Sequence, residues 1–212
     1  MVNEQEWQRQ VVHFSMLRGY RLADLFTLAN AFSGTASILA MLSYLVTLEP
    51  WRVSLALGFL PLALVFDVTD GWVARDRSQP SAFGQELDSL ADIVSFGVAP
   101  VVVAYGLGMR GGLDALILVF FVGCGISRLA RFNITAAQLS DEMGKVKYFE
   151  GTPIPSSLLL ILVLIICFST GYIGDRLPLG IVSIASFHWH PLSVLYLANG
   201  CAMISKLRIP KL

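Results

Sequence analysis

Charge is scarce in this chain: only 14% of its 212 residues are Asp, Glu, Lys or Arg, where a soluble domain carries about 25%. What charge there is cancels, 15 bases against 15 acids, so no cationic field exists to hold a phosphate backbone, and no nucleic acid is expected as a partner. Cysteine is scarce as well. Cys124, Cys167 and Cys201 lie far apart in apolar stretches without CxxC spacing, which argues against a disulfide framework or a zinc site and reads as small core side chains. The first residues lack the basic-then-apolar order of a signal peptide, so that segment is expected to be retained. No internal repeat, linker or low-complexity tract divides the chain.

Hydrophobicity is abundant instead. At 55% hydrophobic residues and a mean hydropathy of +0.68, too little polar surface is left to cover a water-soluble globule. The expected fold class is an all-α integral membrane protein. Crossing hydrocarbon takes about 20 apolar residues, and six candidate spans emerge: Leu22–Val46, Val53–Arg75, Glu86–Leu107, Leu113–Ala130, Ile154–Tyr172 and Phe187–Ser205. Trp7, Val11 and Phe14 recur at helical spacing among polar residues, predicting an N-terminal interfacial amphipathic helix. The expected organisation is therefore an N-terminal segment, 1–21, followed by one transmembrane domain, 22–212. With the N-terminus in the cytoplasm, 12 of the 15 bases fall on the cytoplasmic side and only Arg52, Arg110 and Arg176 on the other, the asymmetry of the positive-inside rule. His188 and His190 flank Trp189 at the far end of the last span and read as an interfacial anchor.

The acids carry the chemistry. Val53 to Phe66 spans only about 21 Å as a helix, short of the ~30 Å hydrocarbon core, so the helix must run on through Asp67 and Asp70. By the same reasoning the third span must begin near Glu86 and include Asp88 and Asp92. Each ionised side chain inside a bilayer costs at least about 2.5–3.5 kcal/mol, so a cation is needed to gather them. Asp67 and Asp70 are i,i+3, and Asp88 and Asp92 are i,i+4, so each pair shares a helix face. Two such faces on antiparallel neighbours make an all-oxygen cage suited to Mg²⁺ or Mn²⁺. Gly71 and Gly84 remove bulk beside it, and Arg75 is suited to bidentate phosphate binding. Together these point to phosphoryl-group chemistry on a lipid at the membrane surface. A cation transporter would instead spread its acids across the midplane on broken helices in symmetric halves.

The run Asp67-Val68-Thr69-Asp70-Gly71-Trp72-Val73-Ala74-Arg75, then Gly84, Asp88 and Asp92 at fixed spacing, resembles the signature of the CDP-alcohol phosphotransferase family in each of its eight fixed places. A chance match is about 10⁻¹⁰ per start point at average residue usage. The resemblance implies six transmembrane helices, a homodimer, a two-metal site and displacement of CMP from a CDP-activated lipid by an alcohol. The run from Gly84 to Pro100, the segments Arg128-Leu129-Ala130-Arg131-Phe132-Asn133 and Lys147 to Pro155, and the close from Ile204 to Lys211 are similar to the branch whose acceptor is L-serine and whose donor is CDP-diacylglycerol. They resemble its fungal-type members more than the bacterial or archaeal ones.

That likeness implies Asp67, Asp70, Asp88 and Asp92 as metal ligands, with Asp92 also the base that accepts the hydroxyl proton. It implies Asn30, Ser33, Gly71, Arg75, Ser81 and Gly84 around the CDP moiety, although Ala29 stands where many members have Pro. For serine it implies Arg131 with Arg128, and more weakly Phe132, Glu150 and Gly151. Another acceptor, such as inositol, glycerol phosphate or choline, remains open. A fungal source implies the endoplasmic reticulum membrane and a bacterial one the plasma membrane, with the active site facing the cytoplasm.

Overall fold

The computed structural model describes residues 21–76, 82–142, 148–184, 187–206 and 208–210. The expected N-terminal amphipathic helix falls outside them. Among the described residues, four helical stretches are long and apolar enough to cross a membrane: Leu22–Thr47, Pro50–Val73, Phe83–Leu107 and Gly112–Ile134. In chain order the helices are α1 (Leu22–Thr47), α2 (Pro50–Asp76), α3 (Ala82–Asp92), α4 (Ala99–Leu107), α5 (Gly112–Glu142), α6 (Ser157–Ser169) and α7 (Val194–Ile204). The last two apolar stretches, Ile154–Ser169 and Pro191–Ile204 with their 3-10 turns, are shorter than the expected fifth and sixth spans, about 24 and 21 Å long.

Phe187 does not open a helix. It begins a strand, β3 (Phe187–Trp189), that pairs antiparallel with β2 (Val182–Ile184), Ser183 opposite His188. At the other end of the bundle β1 (Tyr148–Glu150) pairs with β4 (Arg208–Pro210), so two small ribbons decorate an otherwise helical protein.

The faces that bury these helices differ in kind. α1 turns Asp24, Thr27, Asn30, Ser33, Gly34, Ser37 and Met41 inward at helical spacing, a face that is mostly polar or small. Small residues let backbones approach closely where lipid supplies no hydrophobic drive for helices to associate. A Cβ on Gly34 would stand 2.7 Å from Ser95 Cα, and the Ser37 hydroxyl donates to Ala56 O on α2 at 2.7 Å. The remaining core is aliphatic and aromatic, with Leu60, Phe96, Val103, Phe121, Ile154 and Tyr196 among its buried members. Phe121 and Tyr196 meet edge to face at 5.3 Å.

The third span is not one straight α-helix. Between α3 and α4 lies a π turn, Ile93–Val98, marked by the Ala99 N–H reaching back to Val94 O. Pro100 explains its place: a proline ring inside an α-helix clashes with the carbonyl four residues earlier and lacks an N–H, and a widened turn accommodates both. Such turns recur at functional sites, and this one starts at the residue after Asp92.

The end away from the acids holds a second polar cluster. Asp114, in the first turn of α5, accepts from the Gly111 N–H at 3.1 Å and the His190 N–H at 2.8 Å, and its Oδ2 lies 2.7 Å from His190 Nδ1. His190 is thus a buried clamp rather than an interfacial anchor, while His188 is exposed with its Nδ1 2.8 Å from the Ser183 hydroxyl. Cys124 and Cys167 are buried, but Cys201 is exposed, since α7 buries Tyr196, Gly200 and Met203 on another face.

Candidate active site

α2 delivers Asp67 and Asp70 one turn apart, and α3 delivers Asp88 and Asp92 one turn apart. One carboxylate oxygen each from Asp67, Asp70 and Asp88 lies within 4.8 Å of the other two. Asp70 and Asp92 are buried, with exposures of 5% and 7%, and the carboxyls of Asp67 and Asp92 are close neighbours.

The arrangement fits a hard divalent cation on its own terms. Asp70 Oδ2 and Asp88 Oδ1 are buried and meet no hydrogen-bond donor among the described residues. Buried carboxylate oxygens without a partner carry a full desolvation penalty, which a cation coordinated by the cluster removes. The donor set is all oxygen, the chemistry that Mg²⁺ and Mn²⁺ prefer.

α1 orients the cluster from the side. Asn30, fully buried, donates from Nδ2 to Asp92 Oδ1 at 3.2 Å. The π turn holds Asn30 in return, the Ser95 hydroxyl donating to Asn30 O at 2.9 Å. The Ser33 hydroxyl is instead satisfied within its own helix, by Ala29 O at 2.8 Å. Two members of this face went unremarked in the sequence. Thr27, 3% exposed, donates its hydroxyl to Ala23 O at 3.2 Å and stands beside Asp70, and Asp24, also 3% exposed, lies within electrostatic range of Asp70. Their i,i+3 spacing ahead of Asn30 was the available signal.

Beyond the acids comes the cationic end of α5. Arg128 is half buried and lies within electrostatic range of Asp92. Its guanidinium carbon lies 5.6 Å from the centre of the Phe132 ring, within cation–π range. Arg131 is exposed, so of the two arginines it is Arg128 that the fold brings toward the carboxylates.

A family model described as CDP-alcohol phosphatidyltransferase matches residues 20–198. The chain belongs to this family. Among curated relatives it is 48% identical over 203 residues to the CDP-diacylglycerol–serine O-phosphatidyltransferase of Saccharomyces cerevisiae, covering 94% of this chain and 74% of that one. It is 34% identical over 148 residues to the enzyme of the same name from Methanocaldococcus jannaschii, covering 70% of this chain and 62% of the relative. It is also 38% identical over 137 residues to archaetidylserine synthase of Methanothermobacter thermautotrophicus, covering 63% of this chain and 53% of the relative.

The family's glycines separate by what surrounds them. A Cβ added at Gly71 would find nothing within 4 Å among the described residues, so their packing does not demand glycine beside Asp70. Gly151 has φ +77° and its added Cβ would collide with Met203 O, so the backbone itself demands glycine there. Gly84 lies half buried on α3. The side chains of Arg75 and Glu150, and Ser81 altogether, fall outside the described residues. Gly151→Ala is expected to destabilise the fold by about 2 kcal/mol or more. Gly71→Ala should leave thermal stability unchanged and lower activity, because only a bound ligand would meet the methyl. Melting curves and turnover of both purified variants check this, and a destabilised Gly71→Ala would contradict it.

Proposed function

We propose that the chain transfers the phosphatidyl group of CDP-diacylglycerol to the hydroxyl of L-serine and releases CMP. The observation that carries this reading is the carboxylate cluster of α2 and α3, gathered within 4.8 Å beside a buried Asn30–Asp92 pair, in a chain 48% identical to a relative named for that reaction. Asp67, Asp70, Asp88 and Asp92 would hold two divalent ions, Mg²⁺ or Mn²⁺. When bound, such ions neutralise charge on the diphosphate and on departing CMP.

The residues of the chain account for the other half of the chemistry. A serine hydroxyl is a weak nucleophile until a positioned base takes its proton. Asn30 occupies Asp92 Oδ1, leaving Oδ2 to face the hydroxyl. As Asp92 takes the proton, the serine oxygen forms a bond to the lipid-bearing phosphorus and the bond from that phosphorus to the CMP oxygen breaks. Arg128 pairs with the serine carboxylate, its fork matched to two oxygens, with Arg131 further out. Asn30, Gly71, Gly84 and Arg75 line the CDP moiety, with Ser33 and Ser81 near it.

The same reading takes α6 and α7, with their flanking turns, as the fifth and sixth spans of a homodimeric protein. Its site faces the cytoplasm, a sidedness supported by the 12 to 3 split of basic residues, in the endoplasmic reticulum membrane that the fungal-type resemblance implies. The test is CMP release by the purified protein from CDP-diacylglycerol with Mn²⁺ or Mg²⁺ and a panel of alcohols. Serine-dependent release supports the proposal. Release only with inositol, glycerol phosphate or choline would reassign the acceptor, and no release with any alcohol would sink the activity. Arg128→Ala should raise the serine KM about tenfold or more and leave that of the lipid nearly unchanged, whereas Arg131→Ala should do less.

A further inference from the structure

α3 and α5 are joined by a polar clasp at the level of the site, and Asn133 is its centre. Asn133 Oδ1 accepts from the Ser89 hydroxyl at 3.1 Å and lies 3.5 Å from Gln85 Nε2, while Asn133 Nδ2 donates to Glu86 Oε2 at 3.2 Å. An amide is suited to this place because it accepts and donates at once. An aspartate would set a carboxylate against Glu86, and an alanine would leave the Ser89 hydroxyl without its cross-helix acceptor.

The position of the clasp gives it a consequence. On α3, Ser89 adjoins Asp88 and stands three residues before Asp92. On α5, Asn133 adjoins Phe132 and stands five residues after Arg128. The clasp therefore sets the offset between the helix that carries the carboxylates and the helix that carries the cation. A slip of one residue moves a side chain about 1.5 Å along the helix and about 100° around it. We propose that Asn133 is a positioning residue that holds the Arg128 guanidinium at its working distance from Asp92, so that binding of the acceptor depends on it and binding of the CDP-lipid does not. This rests on the acceptor role given to Arg128 above. Asp92 is itself tied to α1 through Asn30, and Asp67 and Asp70 stand on α2, which the clasp does not touch, so loss of the clasp leaves the lipid side of the site in place.

The test is a comparison of Michaelis constants. The full-length protein in mixed micelles, with CDP-diacylglycerol and Mn²⁺, is assayed for CMP release while serine and lipid are varied in turn. Asn133→Ala is expected to raise the serine KM about tenfold, in keeping with the steep cost of ångström-scale misplacement, with the lipid KM changed less than about twofold. A double variant, Gln85→Ala with Ser89→Ala, keeps Asn133 and removes two of its partners. It is expected to shift the serine KM in the same direction by about threefold, and it serves where Asn133→Ala fails to fold. Equal rises in both constants, or an unchanged serine KM in either folded variant, would overturn the proposal. A wild-type protein without serine-dependent release would overturn the activity beneath it, an outcome distinct from an active wild type whose variants show no such split.

Discussion

Asp92→Asn is expected to lose turnover by about 10³-fold, within the range that general-base catalysis contributes, and still to bind CDP-diacylglycerol in the presence of a divalent ion. The substitution is close to a pure test of basicity. Asparagine has the same shape, and its carbonyl oxygen can keep accepting the Asn30 Nδ2 hydrogen bond that measures 3.2 Å. Three other carboxylates remain to hold a cation. What disappears is the lone pair that would take the serine proton. CMP release measured beside metal-dependent lipid binding separates the two effects, and near-normal turnover would remove Asp92 as the base.

The second large effect is loss of the metal. Exhaustive chelation is expected to abolish CMP release, and added Mg²⁺ or Mn²⁺ to restore it; full activity in chelator would refute the metal requirement. Stability gives an independent reading. An ion that binds only the folded protein at about 100 times its dissociation constant adds about 2.7 kcal/mol, which a melting curve in detergent registers. Asp70→Asn should then show two opposed signs. It should weaken the metal-dependent gain, because a ligand is lost, and raise the stability of the metal-free protein, because a buried like-charge repulsion is relieved. If the acids were instead held by arginines as bundle glue, Asp70→Asn would lower stability with or without metal. The sign of that change decides between them.

How far the sequence could be read depended on whether a feature is periodic along one helix or made between two. The pairing of Asp67 with Asp70 and of Asp88 with Asp92 is a matter of turns along a helix, and hydrophobic length alone carried those helices on through the acids. The inward face of α1 was half legible for the same reason: Asn30 and Ser33 stood out by resemblance, and Thr27 and Asp24 continue the same stripe. The clamp of Asp114 on His190 joins residues 76 positions apart, and nothing local marks either as the other's partner. The clasp on Asn133 spans more than 40 positions and was invisible for that reason. The different depths of Arg128 and Arg131 were not legible, because i,i+3 neighbours share a face without sharing a depth. The π turn had a local signal, Pro100 close behind Gly97, but a hydropathy reading passes over it because it remains helical and apolar. The last helix is shortened at its start by the β2–β3 ribbon, a choice made by pairing rather than by composition, whereas α6 closes on the turn at Thr170 and Gly171.

The polar inward face of α1 has a consequence for how the protein is made. A helix that carries Asp24, Asn30 and Ser37 along one side is a poor guest in lipid by itself, since such groups have little to bond to there. α2 supplies part of what it lacks, through Ala56 O for Ser37, and it follows after only Leu48 and Glu49. The natural unit of insertion is thus the α1–α2 hairpin, entering the bilayer as a pair, with the Asn30 part of the seam closed when α3 brings Asp92. The first half of the acidic site would be assembled before the helix that completes it has left the ribosome.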